Sequence, residues 1–219
     1  LRAIGTAAGI GCLWMAYRIG WIAFGRVTAL IGCVLLTATP AFLRWAVEIH
    51  PDLPQLFWIL CSIQACLLVV ESATMPRVVV ASVFAGLAAG TKYGGVFLVP
   101  LIWLAVLGSD EEKPWRAALE RLRSWDTLLL LLVVPAVLFA TFSVTNPYAF
   151  LHFDKFRSDI LYESEHLSFG HTFESSGGVR WLWIIGGLLT PVGIGLLALY
   201  LGCSAVRSSP SQAPMARVR

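Results

Sequence analysis

Charge is what this chain has least of. Asp, Glu, Lys and Arg together make up 13% of its residues, against about a quarter in an ordinary soluble domain. That leaves too little polar surface to cover a water-soluble globule. Several chemical signatures are missing as well. No Gly-rich phosphate loop follows a strand pattern, and there is neither a Ser nucleophile elbow nor a His-Glu-x-x-His zinc motif, so soluble nucleotide-dependent chemistry and familiar hydrolase chemistry are not expected. The five cysteines, Cys12, Cys33, Cys61, Cys66 and Cys203, sit in apolar runs. None is paired at metal-ligand spacing, and they read as small buried hydrophobes. A net charge of +3 gives no reason to expect nucleic acid. A charged n-region with a cleavage site is also lacking, so no signal peptide is expected. The chain starts at Leu1 without a methionine, and its true N-terminus is expected upstream.

What is abundant is apolar sequence. Hydrophobic residues make up 58% of the chain and the mean hydropathy is +0.76. They gather in runs near the length that crosses a bilayer, roughly 20 residues. Leu1–Tyr17 is the first, followed by a basic turn from Arg18 to Arg26. Val27–Leu43 is the second, Leu53–Val70 the third, Thr127–Val144 a later one and Trp181–Cys203 the last. Val78–Leu107 is longer than one crossing needs and is interrupted by Gly90–Gly95, GTKYGG. Two short helices meeting at Lys92 are expected there.

The expected fold class is therefore all-α: a polytopic integral membrane helical bundle over residues 1–203, with about seven transmembrane helices and a disordered cytoplasmic tail over 204–219. Arg18, Arg26, Arg77 and the basic residues Lys113, Arg116, Arg121 and Arg123 then share one side. Basic loops face the cytoplasm. Arg44–Pro54, Gly90–Gly95 and Asn146–Arg180 share the opposite, extracytoplasmic side. A single helix through 78–107 would separate these polar insertions and is disfavoured. Trp21, Trp45, Trp115, Trp125, Trp181 and Trp183 fall near expected interfaces as an aromatic belt.

The polar insertions carry the candidate chemistry. His50-Pro51-Asp52 stands where a helix re-enters the membrane, with Arg44 and Glu48 near enough to pair. Asp52 is either a helix-start carboxylate favoured by the dipole or a ligand group for a sugar hydroxyl or metal. Lys92 and Tyr93 lie among glycines. Lys92 is either snorkelling to the interface or holding a lipid-linked phosphate. The longest insertion, Asn146–His171, holds three of the four histidines. Its Asn146-Pro147-Tyr148 start reads as a helix-ending turn. From about Asp154 it reads as an amphipathic interfacial helix in the last outer loop, with Asp159, Glu163 and His166 on one face and Tyr162 at its border. Glu163-x-x-His166, with His171 beyond, has spacing that suits a divalent cation (Mg, Mn or Zn). A plain solvated face is the alternative.

Three segments, in order, carry a resemblance. HPDLPQLFW, AGLAAGTKYGGVFLVP and TNPYAFLHFDKFRSDILYESEH resemble the Pro-Asp helix start, the Lys-Tyr helix junction and the Asn-Pro-Tyr loop of GT-C type glycosyltransferases. That group includes protein O-mannosyltransferases and aminoarabinose transferases, and the resemblance runs from about residue 1 to 203. It implies inverting transfer of a sugar from a polyprenyl-phosphate donor to a glycan, lipid or protein acceptor, on the outer face of a cell membrane, with the bacterial inner membrane expected. It also implies an acidic general base in the first outer loop. That loop would precede Leu1, so the catalytic residue is unassigned and the chain reads as an N-terminally truncated fragment. Substrate contacts are expected at His50, Asp52, Lys92, Tyr93, Asn146, Tyr148 and Tyr162, and metal ligands at Glu163, His166 and His171. The rival is a transporter or lipid flippase without covalent chemistry, built from broken helices with polar groups near the midplane.

Overall fold

The computed structural model describes residues 2–108 and 114–169, the side chains of 114–117 and 163–169 excepted. All regular structure among them is helical. In chain order the helices are α1 (Arg2–Phe24), α2 (Arg26–Ala38), α3 (Pro40–Val47), α4 (Asp52–Glu71), α5 (Met75–Thr91), α6 (Leu98–Leu107), α7 (Pro114–Arg121), α8 (Trp125–Thr145), α9 (Tyr148–Leu151) and α10 (Phe153–Phe169), with a 3-10 turn over Tyr93–Phe97 between α5 and α6. Three helices, α1, α4 and α8, are long and apolar enough to cross a membrane. The bent pair α2–α3 makes a fourth if counted as one span, and the segments Met75–Thr91 and Tyr93–Leu107 are shorter apolar helices. The expected crossing Trp181–Cys203, the tail 204–219 and His171 lie outside the described residues. The chain divides after His152 into two units, and α10 belongs to the second.

Two boundaries differ from expectation, each for a local reason. The first helix does not end at Tyr17; it runs through Arg18 to Phe24. Arginine is a good helix former whose stem can reach the polar zone, so one cation does not stop a helix. The turn is made by Gly25, whose φ of +89° is a conformation that other residues rarely adopt. Beyond it the Arg26 guanidinium lies 4.6 Å over the Trp21 ring. The second crossing is not straight either. It bends by 68° between α2 and α3, because Pro40 excludes helical geometry at the residue before it. Thr39 is extended at φ −73° and ψ 117°.

Packing in the first unit depends on small residues, as expected where lipid tails already satisfy apolar side chains and close approach supplies the attraction. α5 turns Ala81, Ser82, Ala85, Gly86, Ala88 and Ala89 inward. A Cβ on Gly86 would lie 2.6 Å from Thr141 Cβ, and one on Gly90 would lie 2.5 Å from Thr145 Oγ1, so α5 and α8 meet almost backbone to backbone. Cys12, Phe42 and Leu53 form the core joining α1, α3 and α4. Hydroxyls inside the apolar layer are spent on carbonyls: Ser82 Oγ donates to Val78 O at 2.8 Å, and Ser62 Oγ donates across to Ala81 O at 3.0 Å.

A similar economy operates at Pro135, inside α8. A proline has no N–H for the carbonyl four residues back, which here is that of Leu131. Trp103 Nε1, from α6, donates to Leu131 O at 2.9 Å. The indole thus supplies the hydrogen bond that the proline withholds, where water is scarce. Trp103→Phe is expected to destabilise the protein by about 1–2 kcal/mol. In a Pro135→Ala background the same change should cost little, because the restored amide reaches Leu131 O. Equal costs in both backgrounds, read from unfolding midpoints in detergent, would show that the indole does not serve this carbonyl.

Candidate functional site

The chain order α4, α5, α6, α8 alternates direction, so the start of α4, the end of α5, the start of α6 and the end of α8 share one end of the first unit. Three of the polar sequence features meet there. Pro51 precedes α4, and Asp52 and Pro54 occupy its first turn. A proline in a first turn forfeits no intrahelical bond, and a carboxylate there meets the positive end of the helix dipole. α5 ends at Thr91, and Lys92 follows in extended conformation at φ −157° and ψ 134° before the 3-10 turn. The expected pair of short helices at Lys92 is therefore present.

Lys92 Nζ lies 3.1 Å from Asp52 Oδ1, and His50 Nδ1 lies 3.0 Å from Asp52 Oδ2. One carboxylate thus meets a different cationic or polar partner on each oxygen. The Asp52 side chain is 19% exposed and the Lys92 side chain 49%, which places the pair at a wet boundary. The His50 contact is close but undirected: Nδ1 is buried and makes no hydrogen bond, leaving bonding capacity unspent beside the carboxylate. The imidazole is oriented instead by Trp45, stacked on it at 5.4 Å with planes 9° apart. Arg44 Nε donates to Glu48 Oε1 at 2.9 Å, so the pairing expected in this insertion is present, on an exposed helix turn worth little to stability.

The cluster opens onto a groove of about 300 Å³. Asp52 and Gln55 stand at its polar part. Leu36, Phe42, Leu56 and Ile59 supply much of its apolar wall. Asp52, Gln55, Leu56 and Ile59 follow helical spacing on α4, so one stripe passes from charged to apolar within two turns. A second cavity of about 260 Å³ lies beside His50 and Glu48.

The other expected contacts are placed variously. Tyr93 begins the 3-10 turn and its ring lies 6.5 Å from that of Phe142. Asn146 ends α8 and its Nδ2 donates to Gly90 O at 3.2 Å and to Thr145 Oγ1 at 3.0 Å, so its amide nitrogen braces the Lys92 junction. Asn146-Pro147 is the helix-ending turn, with Ala149 N donating to Asn146 O at 3.0 Å. Tyr148 is 70% exposed and stacks on His152.

In the second unit, α10 begins at Phe153, one residue from the expected start. Lys155 pairs with Asp159 at 3.3 Å. Tyr162 is exposed. Glu163 and His166 are three residues apart on this helix, a register in which two side chains can serve one ion, but their side chains lie outside the described residues. Among the described residues no cluster of three His, Cys, Asp or Glu is assembled. Gln55 is the participant not foreseen: its Nε2 donates to Lys92 O at 3.0 Å.

Membrane-crossing helices, a broken helix at a lysine and a carboxylate-lysine pair above an apolar groove suit an enzyme that handles amphiphiles with anionic headgroups. A sequence model of the dolichyl-phosphate-mannose-protein mannosyltransferase family matches residues 1–142 of the 219. The chain belongs to that family, and it is a membrane glycosyltransferase of the GT-C type. No curated protein and no solved structure matches it. Family membership favours covalent sugar transfer over the transporter reading.

Proposed function

We propose that this chain binds a polyprenyl-phosphate-linked sugar and takes part in its inverting transfer to an acceptor on the extracytoplasmic face of a cell membrane. The observation that carries this reading is the Lys92–Asp52 pair at the mouth of the apolar groove. A prenyl tail fits the Leu36, Phe42, Leu56 and Ile59 part, and the anionic phosphate then lies near the ammonium. The sidedness is supported by the opposite end of the unit. There Arg77 binds Leu68 O and Arg121 binds Gly108 O, and Arg26 and Arg123 also belong to segments of that end. This basic excess favours the cytoplasm.

In the transfer, the bond between the anomeric carbon and the phosphate oxygen breaks, and the phosphate leaves with the electron pair. The acceptor oxygen or nitrogen bonds the anomeric carbon from the opposite face, which inverts it. The acceptor's proton passes to a base that the family resemblance puts before Leu1. Lys92 offsets charge gathering on the leaving phosphate. Asp52 holds Lys92 in place, and its remaining accepting capacity is available to a sugar hydroxyl. The same reading gives Glu163, His166 and His171 a divalent cation, which would offset phosphate charge when bound. Glycan, lipid and protein acceptors are all compatible, with protein favoured by the family description.

Lys92→Met tests the reading. It keeps the length of the stem and removes the charge. Donor KM in a sugar-transfer assay is expected to rise by about tenfold or more, the scale of one charge-assisted contact. Stability should change by less than about 1 kcal/mol, because the lost ion pair is half exposed. An unchanged donor KM would remove lysine from the site.

A further inference from the structure

We infer that Gln55 is a positioning residue that sets where the Lys92 ammonium stands; this rests on the reading of Lys92 as the donor-phosphate contact. The geometry is a two-point attachment. Lys92 Nζ reaches Asp52 Oδ1 at 3.1 Å, and the Lys92 carbonyl accepts from Gln55 Nε2 at 3.0 Å. Asp52 and Gln55 are three residues apart, on one face of one turn of α4. Both ends of the lysine are therefore referred to the same rigid turn. A lysine stem has four rotatable carbons and does not fix its own ammonium. What limits the ammonium is where its backbone starts, and that backbone lies between two helices rather than inside one.

The neighbourhood is built to admit this amide. Gly94 leaves the approach clear, since a Cβ there would lie 3.6 Å from Gln55 Nε2. The Lys92 carbonyl also takes the Gly95 amide at 3.1 Å, so the turn and the side chain converge on one oxygen. From the far side Asn146 holds Gly90 O at 3.2 Å. The junction is thus gripped by an amide from α4 and another from α8. Only the α4 amide lines the groove, where it shares a wall with Asp52. Glutamate could not replace it, because a carboxylate would face the Lys92 carbonyl acceptor to acceptor.

The test is a double-mutant cycle on the full-length protein in proteoliposomes, with a polyprenyl-phosphate-linked sugar as donor. Gln55→Leu is expected to raise donor KM roughly fivefold, the scale of one net hydrogen bond, with kcat within about twofold. In a Lys92→Met background the same substitution should leave KM unchanged, because the residue it positions is gone. Additive effects in the cycle would overturn the inference, since a general loss of fold acts in either background. The rate at which an amine-directed acylating reagent modifies Lys92, followed by mass spectrometry, separates the two readings. If Lys92→Met leaves donor KM untouched, the phosphate reading fails. Positioning then stands if Gln55→Leu changes the Lys92 labelling rate by twofold or more, and falls if the rate is unchanged.

Discussion

Asp52→Asn is expected to reduce sugar transfer by about 100-fold or more while the protein still inserts and folds. The substitution keeps the shape of the side chain and removes the charge that engages Lys92 at 3.1 Å and His50 at 3.0 Å. The stability cost should stay below about 1 kcal/mol, because the lysine is half exposed and water screens the pair. The cost to transfer is larger for two reasons. The carboxylate positions the cation that receives the leaving phosphate, and losing one preorganised electrostatic partner in an active site typically costs about 100- to 1,000-fold. Asparagine also presents an N–H₂ group where Lys92 needs an acceptor. Transfer from a radiolabelled polyprenyl-phosphate sugar measures the loss, and protease protection of loop sites reports insertion. Near-normal transfer by a properly inserted Asp52→Asn protein would make Asp52 a helix-start residue and nothing more. Asp52→Glu is the companion: it restores the charge with a longer reach, and partial recovery is expected if charge rather than shape is the requirement.

Much of this site was legible in the sequence, and the parts that were not share a physical character. The Lys92 junction could be read because glycines and a cation interrupt an apolar run, and only a break accommodates them. His50-Pro51-Asp52 could be read because a proline and an acid suit a first helical turn. Gln55 could not. A glutamine one turn into an apolar helix has no local signature, and its meaning comes from a carbonyl far away in the chain. Trp103 is similar: its indole looks like one more interfacial aromatic until Pro135 leaves Leu131 without its amide. Asn146 was read as a substrate contact, but its amide nitrogen is spent on Gly90 and Thr145. The end of α1 was misplaced because charge was taken as the stop signal, whereas the chain stops where Gly25 turns it. Local chemistry thus predicted where the backbone breaks. It did not predict which side chains repair the broken ends, since those bonds cross between helices.

Gly95→Ala should be the most disruptive single-methyl change at the site. A Cβ on Gly95 would stand 2.1 Å from Ala89 N, 2.5 Å from Ala88 C and 2.6 Å from Ala89 Cα. Each of these is backbone of α5, so no rotamer change relieves the clash, and the 3-10 turn must move off the helix. Ordinary overpacking costs about 1–3 kcal/mol, and a clash with rigid backbone belongs at the upper end or above it. The displacement would act first on the Gly95 amide bond to Lys92 O, then on the Gln55 bond to the same oxygen, and then on the ammonium. A misplacement of about 1 Å at a reacting group can cost on the order of 100-fold in rate. Transfer should therefore fall by about that factor, with a lowered unfolding midpoint in detergent. Gly94→Ala is the control one residue away. Its added methyl would come only to 3.6 Å from Gln55 Nε2, ordinary van der Waals contact, and its activity and stability should stay near those of the unsubstituted protein. If the two variants behaved alike, close approach of the turn to α5 could not be what holds Lys92 at Asp52.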